Sequence, residues 1–159
     1  MSVPWLTSEQ QQSWRAYLAA STLLQDRLSR ELQAAHGMSL ADYEILVRLS
    51  EAPERRLRMS QLAENTLSSR SRLSHQIDRL EKVGWVERQA CETDRRGAHA
   101  VLTDSGWDVL VAAAPTHVVG VREHFVDLIS DGDFATLGSA LGVVAEHLQS
   151  PDCEAHRPD

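Results

Sequence analysis

Residues 59–103 read MSQLAENTLSSRSRLSHQIDRLEKVGWVERQACETDRRGAHAVLT. This pattern predicts a short polar helix, a second helix rich in Ser and Arg, and two strands joined by a basic loop. A helix with small polar and Arg side chains can enter the major groove of DNA, and a compact basic loop beside it can reach the neighbouring minor groove. Because the two features are adjacent in the chain, this stretch favours duplex DNA as its ligand.

The Ser- and Arg-rich helix has one apolar face and one polar face. Leu73, Ile77 and Leu80 recur at helical spacing, and Ser68 or Ser69 can cap the N-terminus. We predict base contacts at the start of the helix, phosphate contacts at the capping serines, and DNA-backbone contacts further along. The predicted DNA-binding residues of the two helices are Ser60, Ser69, Arg70, Ser71, Arg72, Ser74, His75 and Arg79.

The loop between the two strands contains Asp94, Arg95 and Arg96. Asp94 lies two residues before Arg96 and can hold its guanidinium in one orientation. A preorganised Arg at a hairpin tip fits the narrow minor groove of A·T-rich DNA, and Arg95 would then lie along a phosphate. We therefore predict that all three residues belong to the DNA interface.

Each feature also has a simpler interpretation. The helix can be an amphipathic surface helix whose arginines pair with Glu81 or Asp78, and the loop can be a polar turn in which Gly97 provides the backbone geometry. Either feature alone leaves this alternative open. The two together favour DNA binding.

The charge distribution agrees with a single DNA-binding face. Between Arg55 and Arg96 the chain carries ten Lys and Arg against six Asp and Glu, whereas the remainder carries six against seventeen, for a net charge of −7. A basic middle between acidic ends favours phosphate contact through one surface while the rest repels nonspecific DNA.

Length and motifs bound the class of protein. A chain of 159 residues is long enough for one domain with a core. We find no signal peptide, and the longest apolar run, Val109 to Ala114, is far below the roughly 20 residues of a membrane span. We therefore expect a soluble cytoplasmic protein with no membrane partner. Because nucleophile motifs, glycine-rich phosphate loops and metal-ligand spacings are lacking, we expect no enzyme, no cofactor and no metal site.

Hydrophobic spacing predicts a mainly α protein with a small β-hairpin wing. The N-terminal part is predicted to form a helix from Thr7 or Ser8 to Gly37 and a second helix from Ser39 to before Pro53. The middle part is predicted to form an edge strand at Arg55–Met59, a short helix Gln61–Thr66 capped by Ser60, the Ser- and Arg-rich helix to Val83, and strands at Trp85–Ala90 and Ala98–Thr103. A long helix from Asp104 through Leu128 kinked at Pro115, a last helix capped at Ser130 and a disordered tail from Ser150 complete the prediction.

Several short motifs are similar to those of one family. They are Gln61-Leu62-Ala63-Glu64, Ser69-Arg70-Ser71, Asp78-Arg79-Leu80-Glu81, Gly84-Trp85-Val86-Glu87-Arg88, Asp94-Arg95-Arg96 and Leu102-Thr103-Asp104-Ser105-Gly106. With them the chain resembles the MarR family of bacterial transcriptional regulators over almost its whole length. The resemblance implies a winged helix-turn-helix flanked by N- and C-terminal dimerisation helices. It also implies a homodimer on a pseudo-palindromic operator, and repression relieved by a small ligand or by oxidation.

On this basis we divide the chain into four parts within one compact domain. Residues 1–52 form N-terminal helices for dimerisation and support, 53–103 the winged helix-turn-helix, 104–149 the C-terminal dimerisation helices, and 150–159 the tail. One position departs from the family, because Leu67 stands in the turn where Gly is common. We expect a slightly different turn there, with an extra helical residue before the recognition helix.

The resemblance also implies a ligand pocket between the dimerisation helices and the winged domain. Trp14, Leu18, His36 and Tyr43 are our candidates to line a site for an aromatic or amphipathic acid. Alternatively, Trp14, Leu18 and Tyr43 are simply core residues. Cys91 is expected in an exposed wing, where its thiol is either incidental or a site of oxidation.

The rival function is a winged-helix module that binds protein rather than DNA. It would use the apolar terminal helices as a partner surface, and its basic face would be incidental. Arg72 and Arg96 separate the two hypotheses, since only a DNA-binding protein requires them for sequence-dependent binding.

Overall fold

The computed structural model describes residues 3–91 and 97–149, and the chain forms two compact units, Met1–Gly120 and Val121–Asp159. The described residues form six α-helices and a three-stranded antiparallel sheet. In chain order the elements are α1 Ser8–His36, α2 Leu40–Glu51, β1 Arg56–Arg58, α3 Met59–Asn65, α4 Arg70–Lys82, β2 Val86–Ala90, β3 Ala98–Leu102, α5 Asp104–His124 and α6 Asp131–Gln149. The predicted fold class, mainly α with a small β wing, is confirmed.

The first two helices begin and end as their sequences predict. Thr7 and Gln10 form a capping box at the start of α1, and Gly37 ends the helix with a positive φ of 68°. Ser39 and Asp42 form a second capping box at the start of α2. These side chains satisfy backbone N–H groups that a helix N-terminus otherwise leaves without partners.

The sheet has the order β1-β3-β2, so β1 is an edge strand, as predicted. Leu57 and Arg88 both lie opposite Ala100 of the central strand β3. Below the sheet, one cluster of buried side chains joins α1 to α5 within residues 1–120. Its fully buried members include Leu32, Ile45, Leu46, Leu62, Leu73, Ile77 and Leu80. This cluster fixes the positions of α3 and α4 relative to the helices behind them.

Two predicted boundaries are wrong. The short helix α3 begins at Met59, so Ser60 lies inside its first turn and does not cap it. Instead the backbone N–H of Arg58 donates to Gln61 Oε1 at 3.3 Å. The long helix α5 runs unbroken through Pro115 but ends at His124, because Phe125 leaves helical geometry and a short 3₁₀ turn follows at Val126–Leu128. The kink at Pro115 stays a prediction.

The turn between α3 and α4 also differs from expectation. Ser68 N donates to Ala63 O at 2.9 Å and Leu67 N donates to Glu64 O at 3.1 Å. These are the paired bonds of a Schellman motif, in which the residue after the C-cap takes a left-handed conformation. Leu67 is that residue, with φ 51°. The usual helix-ending turn therefore forms with Leu in place of Gly, and no extra helical residue precedes α4.

Within the described part of the chain, no single helix has the length and apolar character needed to cross a membrane, although residues 104–128 and 131–149 would meet those two criteria as a pair.

Candidate nucleic-acid interface

The orientation of α4 follows from its three buried side chains. Leu73 and Ile77 are fully buried and Leu80 is 1% exposed, so the opposite face of the helix is turned to solvent. Ser69 caps the helix, since its Oγ accepts a hydrogen bond from Arg72 N at 3.2 Å. Of the predicted base-contacting residues, Ser71, Arg72 and His75 are exposed and Ser74 is half-buried, and the neighbouring Arg70 is also exposed.

The structure separates the basic side chains of this region into two groups. Arg55, Arg56, Arg79 and Arg88 form ion pairs with carboxylates. Among the described residues, no carboxylate pairs with Arg58, Arg70, Arg72 or Lys82. The unpaired group includes both arginines of the first turn of α4, and their charge is therefore available to a ligand.

Arg88 on β2 links the wing to the recognition helix α4. Its guanidinium donates to Asp78 Oδ1 at 2.6 Å, to Glu81, and to Ser74 O at 3.0 Å. Its backbone N–H also donates to Glu81 Oε1 at 2.7 Å. Burial lowers the pKa of Arg88, but the hydrogen bond that it donates to Asp78 and the charges of both carboxylates outweigh that effect and raise the pKa overall. The arginine therefore stays charged at every working pH.

This network differs from the expectations based on the sequence in two respects. Asp78 and Glu81 do have an arginine partner, but it comes from β2 and not from α4 itself. Ser74 accepts from Arg88 Nη2 at 3.2 Å through its hydroxyl, so that group is occupied inside the protein. Sequence spacing could not reveal Arg88, because its partners lie 7 to 14 residues away on another element.

Arg79 is likewise engaged inside the protein. It forms an ion pair with Asp42, a carboxylate of α2 that is 6% exposed. The other carboxylate oxygen of Asp42 accepts from Ser39 N at 3.0 Å. The structure thus gives Arg79 a partner that holds α4 against α2; its side chain is 58% exposed, and its contact with the DNA backbone stays a prediction.

The predicted wing residues Asp94, Arg95 and Arg96 lie outside the described residues. The base of the wing is described: Cys91 N donates to Gly97 O at 3.0 Å and closes the two strands. The expectation that Cys91 is exposed is wrong, because its side chain is 6% exposed and its Sγ lies 3.1 Å from His99 Nδ1.

The four predicted ligand residues do not come together in one protomer. Trp14 and Leu18 lie near the start of α1 and are 51% and 42% exposed, whereas His36 lies 22 residues after Trp14, about 33 Å along the helix. His36 Nε2 lies 2.8 Å from Thr116 Oγ1, and the Tyr43 ring lies 4.5 Å from the ring of His117. Only Tyr43 is buried in the core of the chain, whereas Trp14 and Leu18 are exposed on it, and the ligand site stays a prediction.

A polar cleft lies elsewhere in the Met1–Gly120 unit. It has a volume of about 800 Å³ and separates α1 from the start of α2 and from α4. Its lining includes Gln25, Ser29, Glu44, Leu67, Arg72 and Arg79, and none of the four predicted ligand residues. Among the described residues, no group of three or more His, Cys, Asp or Glu side chains is placed to hold a metal ion.

Comparison with known proteins gives concordant results. Residues 36–97 match the model of the MarR family. Over 133 residues the chain is 30% identical to the HTH-type transcriptional regulator PecS of Dickeya dadantii, covering 82% of this chain and 79% of that protein.

Two solved structures from Streptomyces coelicolor are more similar. Sco3205, a MarR family transcriptional regulator solved in complex with DNA, is 47% identical with a TM-score of 0.92, covering 95% of this chain and 94% of that one. AbsC, another MarR family regulator, is 48% identical with a TM-score of 0.87, covering 92% and 99% of the two chains.

Proposed function

This chain belongs to the MarR family, and from that premise we propose that it is a sequence-specific DNA-binding transcriptional regulator, a repressor, that acts as a homodimer on a pseudo-palindromic operator. The recognition helix α4 enters the major groove, Arg96 reaches the minor groove, and Arg95 contacts a phosphate. The DNA complex of the related Sco3205 supports DNA as the ligand.

One observation carries the proposal. Arg70 and Arg72 are exposed at the start of α4 with no carboxylate partner among the described residues, beside the exposed Ser71 and His75, while every other arginine of α4 and β2 is held in an internal ion pair. Unpaired arginines at a helix start are the groups that read guanine edges and bind phosphates.

Exposed apolar side chains support the homodimer. In the Met1–Gly120 unit, Trp5 is 87% and Trp14 51% exposed, and in the second unit Val143 and Leu148 are 69% and 66% exposed. Apolar faces of this kind are usually covered by a partner chain. A two-fold dimer would set its two α4 helices about 34 Å apart, one turn of DNA.

Release by a small aromatic or amphipathic acid is part of the proposal. The polar cleft supports it, because Arg72 lines the cleft and is also exposed at the start of α4. A carboxylate bound to Arg72 would remove that guanidinium from DNA. We further propose that the protein acts in the cytoplasm by binding alone, without catalysing a reaction.

The experiment that tests the function is selection of bound duplexes from a random pool, followed by titration of the selected site across salt concentrations. We expect a palindrome with half-sites about ten base pairs apart. We also expect the logarithm of the binding constant to fall linearly with the logarithm of the salt concentration, with a slope of several units. Arg48 provides a matched control, because it is exposed on α2 and paired with Glu51 at 3.9 Å. Arg48→Ala should bind as wild type does, and Arg72→Ala should not.

The rival hypothesis, a winged-helix module that binds protein, predicts a different result. Selection would then enrich no sequence, and the weak binding that remained would be equally strong for any duplex. That outcome would remove DNA recognition from the proposal and direct attention to the exposed apolar helices.

A further inference from the structure

Leu67, in the turn between α3 and α4, combines two unfavourable features. Its backbone has φ 51°, a conformation that L residues other than Asn and Asp seldom adopt. Its side chain is 82% exposed, the second most exposed large apolar side chain among the described residues, after Trp5. A glycine would form the same Schellman turn without either penalty.

The described fold gives no compensating internal contact. Leu67 is not part of the buried cluster, nor is it among the partly buried hydrophobic residues that pack against that cluster. A strained, exposed apolar residue with no packing contact of this kind among the described residues is evidence of a role outside the protomer.

The position of Leu67 indicates what that role is. It stands two residues before Ser69, the cap of α4, and three before Arg70. It also lines the same cleft as Arg72, so its side chain and that guanidinium lie on a common side of the turn. Its next polar neighbours along the chain at the start of α4, Ser69, Arg70 and Arg72, are among the residues assigned above to the DNA surface.

We propose that Leu67 is a specificity-determining residue that makes an apolar contact with operator DNA at the edge of the major groove. The inference rests on the proposed DNA-binding function. It adds to the DNA interface a residue that recognises the operator through apolar contact and not through hydrogen bonds. The apolar groups that a leucine can reach on a duplex are the C5 methyl of thymine and the deoxyribose ring. The strained turn holds the side chain outward toward these groups.

The proposal predicts that stability and DNA affinity change in opposite directions. Leu67→Asn should raise the melting temperature by about 2–4 °C, because Asn tolerates a positive φ and adds no exposed apolar surface. The same variant should bind the selected operator roughly three- to tenfold more weakly. Leu67→Met keeps an apolar side chain and should bind within about twofold of wild type.

Val83→Asn is the matched control. Val83 is an exposed apolar residue, 53% accessible, at the opposite end of α4, in ordinary helical geometry. Its replacement removes comparable apolar surface from the same helix-turn-helix and should leave DNA affinity unchanged. Deoxyuridine in place of each operator thymine then identifies the partner group: removal of the contacted methyl should weaken wild-type binding about fourfold and leave Leu67→Asn unaffected.

Two results would overturn the proposal. One is a Leu67→Asn protein that is more stable and binds the operator as tightly as wild type. The other is a variant that loses stability and affinity together, which would mean a structural role in the turn. If Leu67→Asn weakens operator binding but no deoxyuridine replacement weakens wild-type binding, the contact is with deoxyribose. If wild type itself selects no operator, the proposed function fails, and that failure is visible before any Leu67 variant is compared.

Discussion

Asp42 on α2 is paired with Arg79 on α4, so a nearly buried carboxylate holds the recognition helix against the helix behind it. The pair lies two to three turns further along α4 than its unpaired arginines Arg70 and Arg72. Arginines of one helix therefore serve two purposes: one positions the helix, and two remain available to a ligand.

This division predicts that Arg79→Met lowers stability more than DNA affinity. Removing the guanidinium leaves the Asp42 charge without its partner, which should lower the free energy of unfolding by about 1–3 kcal/mol. Arg79 is 58% exposed, so the loss should stay below that of a fully buried pair. Urea denaturation measures it. Arg70→Met is the control, with unchanged stability and weakened binding. If Arg79→Met unfolds as wild type does yet binds DNA poorly, Arg79 belongs to the interface after all.

Arg72→Ala should reduce operator affinity by about 1–3 kcal/mol and relax sequence preference at one base position. The reason is that an unpaired guanidinium at the start of α4 can donate two hydrogen bonds to one guanine. Fluorescence anisotropy with the operator and with single-base variants measures both effects. A uniform loss across all sequences would show that Arg72 contacts a phosphate.

Gly106→Ala should destabilise the protein by roughly 1–3 kcal/mol or more. A Cβ at this position would lie 2.1 Å from Trp85 O and 2.7 Å from the Leu102 side chain, and the backbone oxygen cannot move without disturbing the wing. Gly132→Ala is the matched control, because a Cβ there meets nothing within 4 Å. In thermal denaturation, Gly106→Ala should lower the melting temperature strongly, and Gly132→Ala should not lower it. Equal shifts would mean that α5 can move away from Trp85 freely.

His117 should make the folded state less stable in mild acid. Burial against Tyr43 lowers its pKa below the ordinary value of 6.5, since the imidazolium would lose its hydration. Its contribution is therefore present above that ordinary value and is lost as the pH falls through the lower folded value. His117→Phe keeps an aromatic ring against Tyr43 and removes the titration. The free energy of unfolding of wild type should fall more steeply between about pH 7 and 5 than that of the variant. Parallel curves would contradict the assignment.

Arg96→Ala tests the minor-groove contact that the sequence of the wing predicts. We expect weaker binding mainly on operators with A·T-rich flanks, because a narrow minor groove concentrates negative potential. Affinity for flank variants of the selected site measures this. A loss that does not depend on flank sequence would indicate phosphate contact by Arg96.

Local features were predictable from the sequence because their causes are local. The caps at Thr7, Ser39 and Ser69, the buried stripe of α4 and the edge position of β1 follow from residue types and spacing over a few positions. The exposure of Arg72 follows in the same way, since it lies off the apolar stripe, whereas Arg70 continues the spacing of that stripe and is exposed because it is the first residue of the helix.

Partners across long chain separations were decided by the tertiary structure alone. Arg79 and Asp42 are 37 residues apart, and Arg88 and Ser74 are 14 apart, so their pairing depends on how α2, α4 and β2 pack. The same packing buries Cys91 and separates Trp14 from Tyr43, which the family resemblance alone placed in one pocket. Periodicity reports which face of an element is apolar. It carries no information on which element that face meets, because that depends on the packing of the whole chain.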